Sequence, residues 1–123
     1  MNFSMLVYEG PAAFALRSEQ DAAMREAYMS AWSRYTKALR DAGVLVTGSG
    51  LQLPDTATTL TLQENGKRRV QDGPYADTKE QLGGFYIINV PDLDTALDWA
   101  SRIPAAPASV IEVRQCLMPP APA

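Results

Sequence analysis

Chemically capable side chains crowd into one stretch, Asp72-Gly73-Pro74-Tyr75-Ala76-Asp77-Thr78-Lys79-Glu80, which runs on into Gln81-Leu82-Gly83-Gly84-Phe85-Tyr86. An aspartate at a strand end, beside a phenol and an Asp-Thr-Lys-Glu run, suits a pocket in which a partly desolvated carboxylate acts as a base. Asp72 is the candidate catalytic residue. Tyr75 would donate a hydrogen bond or stack on a ligand, Lys79 would hold a substrate anion and Glu80 would shuttle a proton. Tyr8 and Glu9 close the first apolar run of the chain, and strand ends commonly feed a site, so both join the binding set. Each residue also has a plainer reading. Asp72-Gly73-Pro74 is a turn in which Asp caps its own backbone, Gly tolerates positive φ and Pro sets the exit. Lys79 and Glu80 are then a solvated pair, and Tyr75 packs its ring on a sheet. Arg34 reads as surface charge. Gly83-Gly84 marks either a bulge or a close approach to the backbone.

Composition narrows the chemistry further. The 123 residues contain no histidine and a single cysteine, Cys116. The usual general base, the commonest zinc ligand, a cysteine cage and an internal disulfide are therefore all missing. No cofactor is called for; a carboxylate-bound Mg²⁺ is the one metal this composition leaves open. Net charge is −3 and the basic cluster Lys67-Arg68-Arg69 stands alone, so nucleic acid is not an expected partner. No apolar run reaches the ~20 residues of a membrane span, and the first residues lack a signal peptide's charged region; a cytoplasmic protein is expected. The length fits one domain, placed at residues 1–117, with a proline-rich tail over 118–123.

The elements that must position these residues follow from periodicity. Phe3–Tyr8 reads as a strand ended by Glu9-Gly10-Pro11, apolar at both parities and so covered on both faces. Ser18 with Asp21 suggests a capping box opening a helix whose stripe is Met24, Tyr28, Ala31, Trp32, Tyr35, Leu39 and Ala42, with Gly43 as its stop. That stripe reads as core. Val44–Thr47 begins a second strand, with a bulge or bend at Gly48-Ser49-Gly50. Thr58–Gln63 and Lys67–Gln71 flank Asn65-Gly66 as a hairpin with one wet face and a charged, defended edge. Gly83–Val90 reads as an interior strand, Asp92 as the cap of a helix with Leu93, Ala96, Leu97, Ala100 and Ile103 on one side, and Val110–Arg114 as the last strand. The order β-α-β-(hairpin)-β-α-β predicts an α+β, ferredoxin-like sheet with an inserted β-hairpin. Two helices cover one face only; a second copy of the chain packing sheet against sheet would cover the other, so a homodimer is expected.

The stretch Asp72–Tyr86 also resembles the signature of the DGPF subgroup of YCII-related proteins, with Tyr75 standing where that name has phenylalanine. The resemblance extends to Met5–Glu9, Ala42–Leu45, Leu51–Pro54 and Ile111–Arg114. It implies a dimeric α/β barrel built from ferredoxin-like subunits. It also implies genes beside extracytoplasmic-function sigma factors. Related members resemble enzymes with a His–Asp pair; with no histidine here, only the acidic half can be carried over, onto Asp72. Two functions follow as expectations. One is a small-molecule pocket near the motif with lyase-like acid–base chemistry. The other is a non-catalytic interaction module that binds a protein partner such as a sigma factor.

Overall fold

The computed structural model describes residues 1–117; the predicted tail over 118–123 lies outside them. The described residues form six strands, β1 (Asn2–Glu9), β2 (Leu45–Gly50), β3 (Thr58–Leu62), β4 (Arg68–Asp72), β5 (Gln81–Asn89) and β6 (Val110–Gln115), with helices α1 (Pro11–Ala15) and α2 (Ala22–Asp41) between β1 and β2 and α3 (Leu93–Ser101) between β5 and β6. Four strands form one antiparallel sheet in the order β2-β5-β1-β6, and β3 pairs only with β4. β5 thus lies between β1 and β2, and β1 between β5 and β6: two interleaved split β-α-β units, the ferredoxin-like arrangement.

Alternation along β1 buries Phe3, Met5, Val7 and Glu9 toward the helices and leaves Ser4, Leu6 and Tyr8 half-buried on the other face. Met5, Leu39 and Ile88 are fully buried between sheet and helices, each contributing about 1.5–3 kcal/mol by apolar burial. Tyr35 meets Tyr86 edge-on at 5.4 Å and donates its hydroxyl to the Trp99 carbonyl at 2.7 Å, which ties α2, β5 and α3 together.

Several local expectations need correction. A short helix, α1, and a 3-10 turn at Leu16–Ser18 occupy the expected loop, because Pro11 presets the first helical φ. The cap of α2 is Asp21, whose Oδ1 accepts from Ala23 N at 2.9 Å and Met24 N at 3.3 Å; Ser18 makes no cap. Of the α2 stripe only Tyr35 and Leu39 are buried, while Met24 is exposed and Tyr28 and Trp32 are half-buried. The irregularity in β2 falls between Leu45 and Thr47, one residue before the glycines, and the strand runs on through Gly50. Gly48 is needed for space, since a Cβ there would lie 2.6 Å from Tyr86 Cδ1. On α3, Asp92 caps as expected, accepting from Thr95 N at 2.8 Å, but Leu93 and Leu97 face outward. In the β3–β4 hairpin Gln63 N donates to Lys67 O, so the loop is Glu64-Asn65-Gly66, with Gly66 at φ +82°.

Candidate functional site

A cavity of about 840 Å³ opens between α2 and the β2–β5–β1 part of the sheet. Its floor is bare because β2 and β5 contribute Gly48, Gly50, Gly83 and Gly84 there. Its roof is one ridge of α2: Tyr28, Trp32, Thr36 and Arg40 recur every fourth residue and all line the cavity. This explains the half-burial of the aromatic stripe. Tyr35 and Leu39 are buried in the core, whereas Tyr28 and Trp32 border the open cavity, Trp32 also touching the core.

At one end lies Glu9, 1% exposed, brought there by its position as the last inward residue of β1. Its Oε1 accepts from the Tyr28 hydroxyl at 3.1 Å and its Oε2 from Arg17 Nη2 at 3.0 Å. A carboxylate offers about four lone-pair sites, so the two protein donors leave capacity for a ligand. Arg17 does more than neutralise the charge. Nη2 also donates to Gly83 O at 3.0 Å, Nη1 donates to Leu51 O, and the guanidinium stacks over the Phe14 ring at 5.0 Å. One side chain therefore joins the 3-10 turn after α1 to β1, β5 and the segment after β2.

Gly83 is the extra residue of a β-bulge. Val7 pairs with Gly84 and Tyr8 with Leu82, so Gly83 is skipped and its carbonyl is free for Arg17 and for Leu51 N at 2.9 Å. Burial, reinforced by the Glu9 charge, pushes the Tyr28 phenol above its ordinary value, so at neutral pH it is a proton donor. Further along, Thr36 Oγ1 and the Tyr86 hydroxyl share a hydrogen bond of 2.7 Å. The arrangement can accept a proton on Glu9, hand one back through Tyr28, and hold an apolar body against Trp32.

The six sequence-derived candidates do not form one constellation. Glu9 lies in the cavity. Tyr8 is half-buried on the opposite sheet face, as alternation requires. Asp72 and Tyr75 are exposed and border a second, smaller depression on the hairpin, with Gly73 at φ +99° making the turn between them. Lys79 and Glu80 are exposed and line neither space. The reason is local: Asp72 ends β4, and β4 belongs to a hairpin that pairs only with itself, so the motif's acidic half is carried away from the cavity that its glycines line. Arg17, Tyr28 and Arg40 were missed as site residues. The signal available for Tyr28 and Arg40 was their shared four-residue spacing with Trp32 and Thr36; for Arg17 nothing short of the β5 bulge would have shown it.

Among the described residues no group of three or more Asp, Glu, His or Cys side chains could hold a metal ion, and no helix is long and apolar enough to cross a membrane. A model of the YCII-related domain matches residues 1–118. The uncharacterized protein R00369 of Rhizobium meliloti (strain 1021) is 50% identical over 48 residues, a match covering 39% of this chain and 39% of that protein. Among solved structures, the 5-chloro-2-hydroxyhydroquinone dehydrochlorinase of Burkholderia phenoliruptrix AC1100, in complex with 2,5-dihydroxybenzoquinone, superposes with a TM-score of 0.48 at 17% identity, covering 91% of each chain.

Proposed function

Given that the chain belongs to the YCII-related domain family, we propose that it is a DGPF-type member that binds a small organic molecule in the cavity under α2 and carries out lyase-like acid–base chemistry there. Glu9 is the base. A ligand C–H or O–H proton passes to its free lone pair, the electrons released expel a leaving group from the neighbouring atom, Tyr28 O–H protonates that group as it departs, and the proton on Glu9 returns to the Tyr28 phenolate across their hydrogen bond, restoring both groups. Arg17 holds Glu9 in place. The observation that carries this reading is a carboxylate buried to 1% exposure that borders an open cavity with a phenol as its partner. Asp72, the carboxylate of the motif, is exposed at the end of β4 and takes no part.

The test is to extract the purified protein and look for a bound small molecule by mass spectrometry in the wild type, Glu9→Gln and Asp72→Asn. The molecule should be retained by Asp72→Asn and lost by Glu9→Gln, with both variants folded. Retention by Glu9→Gln, or loss that follows Asp72, would reverse the assignment.

A second reading, assembly with a second copy of this chain, is favoured by the hairpin. Leu60 (47% exposed), Leu62 (77%) and Val70 (62%) present an apolar face, and β3 and β4 scarcely touch the rest of the chain. A lone two-stranded hairpin is marginal in water, so this one gains by being covered. Light scattering on the triple variant Leu60→Thr, Leu62→Thr, Val70→Thr should give a monomer where the wild type gives a dimer. A dimer of unchanged strength would remove the arm from the interface.

A further inference from the structure

The cavity has a chemical polarity from end to end. Its lining contains one carboxylate, Glu9, and two guanidiniums, Arg17 and Arg40. Arg17 is spent on Glu9, leaving Arg40, a solvent-exposed residue, as the excess positive charge of the lining. Among the described residues Arg40 makes no ion pair and no side-chain hydrogen bond, whereas the neighbouring Lys37 is paired with Asp41 at 2.6 Å. Arg40 stands three helical turns beyond Tyr28 on the same ridge, roughly 18 Å along the axis. Between them lie the Trp32 indole and the Thr36–Tyr86 hydroxyl pair.

We propose that the occupant of the cavity is an organic anion with an aromatic or extended apolar body, its anionic group held by Arg40 and its reacting end presented to Glu9. This rests on the cavity being a ligand site. A ligand that meets both must bridge much of that roughly 18 Å of helix, which calls for an extended body. A guanidinium fork matches a carboxylate or sulfonate through two parallel N–H···O bonds, which makes Arg40 a specificity-determining residue for charge. The other cation of the lining, Arg17, is already engaged by Glu9, which leaves Arg40 as the anchor for an anion.

Two dyes that share an anilinonaphthalene body separate the two ideas. 8-Anilinonaphthalene-1-sulfonate carries the anion and N-phenyl-1-naphthylamine lacks it. Fluorescence titrations should show Arg40→Gln weakening the sulfonate by roughly tenfold while the neutral dye is unaffected, with Arg40→Lys falling between. Raised salt should weaken only the sulfonate. If Arg40→Gln changes both dyes equally, or neither, the anchor is wrong and the cavity reading stands. If the wild type binds neither dye, the cavity reading fails and the anchor with it.

Discussion

A Cβ placed on Gly83 would lie 2.6 Å from Glu9 Oε2 and 3.0 Å from Arg17 Nη2. The bulge in β5 and the buried ion pair therefore occupy one another's space, and the second glycine of the pair has its own constraint, with Ser49 O at 3.0 Å from a Cβ on Gly84.

Gly83→Ala is expected to lower stability by about 1–3 kcal/mol, the usual cost of overpacking, by pushing Glu9 off Arg17. Thermal and urea unfolding would measure it. In a Glu9→Ala background the same substitution should cost less, because the carboxylate no longer claims the space. Additive losses in the double mutant would show that Gly83 and Glu9 are not coupled.

Arg17→Met should cost about 2–3 kcal/mol, somewhat under the 3–5 kcal/mol of a fully buried pair, because Arg17 keeps 22% of its side-chain surface while Glu9 keeps 1%. Much of the loss is the charge left on Glu9. The double variant Glu9→Gln, Arg17→Met should therefore be more stable than Arg17→Met alone. A double variant at least as unstable as the single would point instead to the bonds Arg17 makes to Leu51 O and Gly83 O.

Alkaline pH should unfold the protein through its inner tyrosines. Burial raises Tyr35, Tyr86 and Tyr28 above the ordinary phenol value. The folded state thus holds these protons more tightly than the unfolded chain, so their stabilising contribution is complete below pH ~10 and is lost as pH rises through the folded values. Melting temperatures should hold up to pH ~10 and fall as pH rises beyond it, and Tyr35→Phe should flatten the fall. That variant also gives up the bond to the Trp99 carbonyl, about 1 kcal/mol at neutral pH. An equally steep decline in Tyr35→Phe would exclude Tyr35 as a contributor.

What the chain determines by itself is whatever depends on near neighbours. Short apolar runs bounded by turn residues place β1, β5 and β6, Asp92 caps α3, Gly43 with φ +72° ends α2, and Gly66 turns the hairpin, all because these preferences are set by the φ/ψ and side chain of a few adjacent residues. The order of the elements carried the split β-α-β arrangement for the same reason. The site did not follow from nearness in sequence. Asp72 and Tyr75 are crowded with other reactive side chains but sit on a hairpin that leaves the sheet, whereas Glu9, Arg17, Tyr28 and Gly83 come from four separate segments. Their meeting depends on a one-residue bulge, which turns the Gly83 carbonyl toward Arg17, and on α2 burying Tyr35 and Leu39 while Tyr28 and Trp32 stay half-buried beside the cavity. Register and helix placement are decided by packing over the whole chain, so the carboxylate that borders the cavity emerged only with the tertiary structure.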